Sequence, residues 1–127
     1  MATATLEEAV NRWHEAVNSR SPEAARAAVT DPVVVLGPKG AGRISADDFV
    51  DWIDHSGIAL TARSWHPVGH RFLVVEQDAR WPADEEPTRV ATVFRCTGGR
   101  VSAALRLPDL RSALDLALIC AELDETP

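Results

Sequence analysis

RVATVFRCTGGRVSAALRL (Arg89–Leu107) is the stretch that decides how this chain folds. Two runs rich in β-branched and alternating apolar residues flank Gly98-Gly99, the composition of a two-residue hairpin turn whose central positions need positive φ. With the glycines at the tip, the register follows by counting outward. Thr97 faces Arg100, Cys96 faces Val101, Phe94 faces Ala103, Thr92 faces Leu105 and Val90 faces Leu107. Because cross-strand neighbours share a face, these residues form one nearly apolar wall. Ala91, Val93, Arg95, Ser102, Ala104 and Arg106 fall on the other.

The preceding run, RFLVVEQDARW, alternates in the same way. Leu73, Val75, Gln77, Ala79 and Trp81 share one side, and Glu76, Asp78 and Arg80 the other. Setting Glu76 and Asp78 on the face of Arg95 and Arg106 pairs opposite charges and joins the apolar sets. The core side then holds Trp81, Val75, Phe94 and Leu105, with Gln77 and Thr92 as polar exceptions. A polar side chain on an apolar wall is either bonded within the fold or aimed into a pocket.

Helices flank these strands. Leu6, Val10, Trp13 and Val17, with Ala9 and Ala16 beside them, form the apolar stripe of a first helix. Ser21 and Pro22 are the N-cap and first residue of a short second helix, which ends at Thr30-Asp31-Pro32. VVVL (Val33–Leu36) reads as a short buried strand broken by GPKGAG. Ser45 caps a third helix, ISADDFVDWIDHSG, with Phe49, Trp52 and Ile53 inward and Gly57 as its stop. Asp109 caps a closing helix, DLRSALDLALICAEL, whose apolar residues exceed one face and predict burial on two sides. The order is helix, helix, strand, helix, then consecutive antiparallel strands and a closing helix, which is an α+β layout.

Composition excludes several classes. The 127 residues fit one domain, and a net charge of −6 with scattered basic residues disfavours nucleic acid as a partner. No apolar run is long enough for a membrane span, and MATATLEEAV lacks the features of a signal peptide. Cys96 and Cys120 read as buried free thiols of a cytoplasmic protein. There is no glycine-rich phosphate loop, no CxxC, no nucleophile elbow, and hence no expected cofactor. In SWHPVGHRF (Ser64–Phe72), His66 and His70 stand at a helical ligand spacing. Pro67 and Gly69 disfavour a helix, and in one extended strand the two lie ~13 Å apart. No metal site is expected; the stretch reads as a sheet junction, with Trp65 and His66 near a pocket rim.

The segments RWHEAVNSRSPEAARAAV, DPVVVLGPKGAG, GRISADDFVDWI, VVEQDARW, FRCTGGRV and LPDLRSALDLA together resemble the nuclear transport factor 2-like superfamily, which includes ketosteroid isomerases, polyketide cyclases and limonene epoxide hydrolase. The resemblance spans residues 1–127 as a single cone-shaped domain. It implies a curved antiparallel sheet with helices packed on its concave face, a pocket between the two, and a homodimer paired through the sheets. It does not imply one activity. Ketosteroid isomerases of this kind use a tyrosine and an aspartate base. This chain has no tyrosine, and only Asp31 stands near the position of such a base. The Asp–Arg–Asp set of the epoxide hydrolases is incomplete, because VSAALRL carries no carboxylate. Relatives of the polyketide cyclases need an acid–base group, for which His14 is the candidate.

The leading expectation is therefore a small hydrophobic-molecule-binding protein, its pocket lined by Trp13, Trp52, Gln77, Trp81, Thr92 and Phe94. One alternative is an isomerase, cyclase or dehydratase using His14 on a hydrophobic or polycyclic substrate. Another is a structural dimerisation module with a filled cone and a contact face bearing Ala91, Val93 and Ala104.

Overall fold

A computed structural model describes residues 2–37 and 39–125. Helix α1 spans Ala2–Ser19 and α2 Pro22–Ala28. Strand β1 is Val29–Gly37, β2 Gly40–Ile44, and α3 Ala46–Ser56. Then follow β3 (Ala59–Val68), β4 (Phe72–Arg80), β5 (Thr88–Thr97), β6 (Arg100–Leu107) and α4 (Leu110–Glu125). The strands form one six-stranded sheet in the order β2-β1-β6-β5-β4-β3.

Local chemistry places the helix ends as expected. The Ser21 hydroxyl accepts from the Ala24 N–H at 3.2 Å, and the Ser45 hydroxyl from the Asp48 N–H at 3.0 Å. Each satisfies a donor that the first helical turn leaves unpaired. The Asp109 carboxylate does the same for Ser112 at 2.8 Å. Gly57 stops α3 at φ +61, and a side chain there would also meet Pro82 Cγ at 2.7 Å. Only glycine suits both constraints.

The sheet departs from the expected antiparallel pattern at one seam, where β1 pairs with β6 in parallel. Such pairing needs a long connection, and about half the chain, from β2 through β5, lies between these two strands. β2 was not expected as a strand. It is an exposed edge hairpin arm of glycine and arginine, so it carries no apolar alternation to mark it.

The β5–β6 hairpin has the expected tip, with Thr97 opposite Arg100 and Cys96 opposite Val101. Beyond it the register slips. Arg95 faces Ala103, Phe94 faces Ala104, Thr92 faces Arg106 and Val93 faces Leu105. Ser102 is the extra residue of a β-bulge, so Ser102 and Ala103 together oppose Arg95. The bulge is fastened by side chains: Arg95 Nε donates to Ser102 Oγ at 2.9 Å, and that hydroxyl donates to the Arg95 carbonyl at 3.2 Å. Leu105 and Leu107 therefore lie on the outer face, not in the main core, and Ala104 and Arg106 lie on the inner face. Glu76 and Asp78 keep their expected outer face but pair with Arg89 and Arg63 rather than with Arg95 and Arg106.

Helices α1, α2 and α3 cover the concave side, where Val10, Val17, Phe49, Ile53, Leu73 and Phe94 form the main core. Helix α4 takes the opposite face. Ala113, Ala117 and Ala121 recur every fourth residue and press a flat strip onto Phe72, Val74, Ala91 and Val93. Its far side leaves Leu118, Ile119 and Leu123 exposed. SWHPVGHRF runs from edge strand β3 into the β3–β4 turn, which bends at Gly69 (φ +67). No helix among the described residues is long and apolar enough to cross a membrane.

Candidate functional site

Between the concave face and α1 and α3 lies an open cavity of about 510 Å³. Trp13 enters from α1, Phe49 and Trp52 from α3, and Leu60 from β3. Gln77, Thr92, Ala104 and Arg106 supply the floor from successive central strands. Val35, Leu36 and Ile44 close the side formed by the β1–β2 hairpin. The cone is not plugged by its tryptophans: Trp13 stacks with Phe49 at 6.0 Å, and Phe49 with Trp52 at 6.0 Å, so the three rings line one wall together. The Trp13 indole N–H is buried and has no acceptor among the described residues. An unpaired buried donor costs about 1–3 kcal/mol.

Beneath this wall runs a chain of buried polar groups. Thr92 Oγ1 donates to Gln77 Oε1 at 2.7 Å, and Gln77 Nε2 donates to His14 Nε2 at 2.8 Å. His14 Nδ1 then donates to the Val10 carbonyl at 2.8 Å. Each donor meets one acceptor, which selects the neutral imidazole protonated at Nδ1. Gln77 and Thr92 reach the cavity wall, whereas His14 lies behind it with both nitrogens committed inside the protein. Phe94, fully buried edge-on to Trp13 at 4.8 Å, also sits behind the wall. Trp81 stands outside the lining and covers the Arg106 guanidinium at 5.3 Å. The sequence expectation set Trp13, Trp52, Gln77, Trp81, Thr92 and Phe94 around the pocket, with His14 as its acid–base candidate; of these, Trp13, Trp52, Gln77 and Thr92 line the cavity, and His14, Trp81 and Phe94 do not. It missed Arg106, because only the bulge at Ser102 turns that residue inward.

No family model matches the sequence, and no curated protein matches it. Solved structures do. A nuclear transport factor 2-like protein of unknown function from Cytophaga hutchinsonii superposes with a TM-score of 0.72 at 12% identity, over 86% of this chain and 94% of that one. The chain has the nuclear transport factor 2-like fold. An LEH-like epoxide hydrolase from M. tuberculosis aligns at a TM-score of 0.68 and 15% identity, covering 94% and 93% of the two chains. A computationally designed 17-OHP binder aligns at 0.71 and 13% identity, over 84% of this chain and 92% of that chain. At such identities the likeness is one of fold.

Within this nuclear transport factor 2-like cone, the residues weighed for acid–base work are placed as follows. The Asp31 carboxylate accepts from the Ala46 N–H at 3.3 Å, at the entry to α3 and off the cavity wall. Asp78 is engaged by Arg89 at 2.6 Å on the outer face. His66 bonds Ser64 at 2.8 Å, and among the described residues no cluster of His, Cys, Asp or Glu could hold a metal. Cys96 is buried, which pushes its thiol up to about 11 and leaves it unreactive. Cys120, expected to be buried, is only half so.

Burial lowers the His14 pKa below its ordinary 6.5, against a smaller opposing effect of the Val10 hydrogen bond. As pH falls below about 6.5, the unfolded chain takes up a proton that the folded core refuses. Stability present above that value is then lost, by up to about 1.4 kcal/mol per pH unit. Denaturant melts at pH 7.5, 6.5 and 5.5 should show this loss, and His14→Gln should flatten it. A slope unchanged by the substitution would assign the proton elsewhere.

Proposed function

We propose that this protein binds a small hydrophobic molecule in the open end of its cone. The observation that carries this reading is the cavity itself. It remains about 510 Å³ in volume although three aromatic side chains, Trp13, Phe49 and Trp52, border it. Interiors that serve packing alone close such space, because unfilled volume costs stability at every lining atom. The volume falls in the range of roughly 300–1,000 Å³ typical of small-molecule sites, and the stacked rings suit a flat apolar ligand. That a designed protein of this fold is a 17-OHP binder supports the idea that the cone can house a ligand.

The reading of His14 as a catalytic base gains no support from the geometry. A base needs a lone pair facing its substrate, and the His14 Nε2 lone pair is occupied by Gln77. The filled-cone module is likewise less well supported than ligand binding, since the cone is open and Ala104 faces into it. The reading retains a homodimer. Because α4 lies across the outer face, a pair formed there would bury Leu118, Ile119 and Leu123 along with any sheet contact.

The test is a thermal-shift screen of aromatic and polycyclic compounds against the wild type and Ala104→Phe. Ala104 lies on the cavity floor, so the added ring occupies ligand space. A ligand that raises the wild-type Tm by several degrees should lose at least tenfold in affinity in the variant, whose own fold persists. An equal shift in both proteins would place the binding elsewhere and overturn the reading.

A further inference from the structure

We propose that the molecule held in this cone is a hydrophobic carboxylate, anchored at its acidic end by Arg106. This rests on the ligand-binding reading above and specifies the chemistry of its ligand.

Arg106 reaches the cavity from β6, where it stands opposite Thr92 on the concave face. Its Nη2 lies 4.0 Å from where a Cβ on Gly37 would sit, at the end of the cavity bounded by the β1–β2 hairpin. The residue is half-buried, and among the described residues its guanidinium has no hydrogen bond and no ion pair. The other inward or partly covered arginines do not share this condition. Arg71 holds Asp124 at 2.9 Å, and Arg95 holds Ser102 at 2.9 Å. Arg89, on the outer face, holds Asp78 at 2.6 Å. Among the described residues, its guanidinium engages the Trp81 ring, at 5.3 Å from the ring centroid. A ring at this distance attracts the cation without taking the place of an oxygen acceptor, so the guanidinium N–H groups still lack one.

A partly desolvated cation without a counterion costs free energy that a bound anion would recover. A carboxylate is matched to the guanidinium because its two oxygens accept two parallel N–H bonds. Burial alone, with no carboxylate opposing it, lowers the Arg106 pKa, and the group stays protonated at neutral pH. The other charged residues of the lining are Lys39 and Asp48, both exposed at the rim, so the cavity holds two cations against one acid. This positive bias belongs to a chain whose net charge is −6, and is therefore local. The opposite part of the wall, built by Trp13, Phe49, Trp52 and Leu60, would take the apolar body of the ligand. A neutral ligand of the same shape would bury the guanidinium further and give it no partner.

The experiment measures binding of 2-naphthoate, 2-naphthamide and 2-naphthylmethanol at pH 7.5 by quenching of tryptophan fluorescence. It uses the full chain and its Arg106→Gln and Arg106→Lys variants. The wild type should bind the acid at least tenfold more tightly than either neutral analogue. Arg106→Gln should abolish that preference while retaining the neutral compounds, and Arg106→Lys, which keeps the charge without the fork, should retain part of it. Should the glutamine variant not fold, loss of most of the preference in the lysine variant carries the same conclusion. Equal binding of acid and neutral forms by the wild type, or a preference that survives in both variants, would overturn the role of Arg106 and leave the ligand-binding reading standing. Failure of all three probes, together with a silent thermal-shift screen, would overturn both.

Discussion

Replacing Gln77 by leucine is expected to destabilise the fold by about 2–5 kcal/mol, although the two side chains are similar in volume and the site is fully buried. Gln77 is the middle link of the buried chain, accepting from Thr92 at 2.7 Å and donating to His14 at 2.8 Å. Leucine would leave the Thr92 hydroxyl and the His14 Nε2 lone pair without partners, and each unpaired buried group costs about 1–3 kcal/mol. Added apolar contact offsets part of this cost. For a chain of this size the melting temperature should fall by roughly 6–25 °C. The comparison that isolates the cause is the triple variant Gln77→Leu, His14→Phe, Thr92→Val, which removes all three polar members and should recover part of the loss. Chemical denaturation of the single and triple variants decides it. A neutral single variant would show that the chain contributes no net stability.

Phe94→Ala is expected to cost about 3–5 kcal/mol, the range for deleting a large aromatic side chain from a packed core. Phe94 is 0% exposed, stands edge-on to Trp13 at 4.8 Å, and lies 5.6 Å from the His14 ring. Its removal withdraws the support behind the cavity wall. The energetic loss should therefore be joined by a change in the ligand site, because Trp13 can then relax into the vacated space. A denaturation midpoint lowered without change in the m-value would fit a cavity in an otherwise native fold. The same variant should bind apolar probes with altered selectivity, read by tryptophan fluorescence. A loss below about 1 kcal/mol would mean that the surroundings collapse to fill the gap.

Much of the architecture was legible because its signals are local. Ser21 with Pro22, Ser45 with Gly57, and Asp109 mark helix ends by side-chain chemistry acting over three or four residues. The alternation in RFLVVEQDARW set the facing of β4, and with it the inward aim of Gln77. What was not legible depends on contacts between distant segments. β2 has no apolar pattern, because an exposed edge strand is held by backbone pairing with β1 rather than by burial. Placement of α4 on the outer face follows from its alanine strip matching Phe72, Val74, Ala91 and Val93, a match between surfaces that neither segment announces alone.

By itself, then, the sequence determined the α+β class, the capped helix ends at Ser21, Ser45, Gly57 and Asp109, the glycine turn of the β5–β6 hairpin, and, of the residues it set around the pocket, Trp13, Trp52, Gln77 and Thr92. Periodicity and capping act over a few residues and are written in those residues. Only the tertiary structure decided that the cone stays open, that His14 spends both nitrogens inside the protein, and that Arg106 faces the cavity. The last turned on one residue. Ser102 adds a bulge that shifts the alternation of β6 by one place, exchanging Leu105 for Arg106 on the inner wall. A period of two has no memory of which face it serves. The bulge that resets it is fixed by Arg95, on the neighbouring strand.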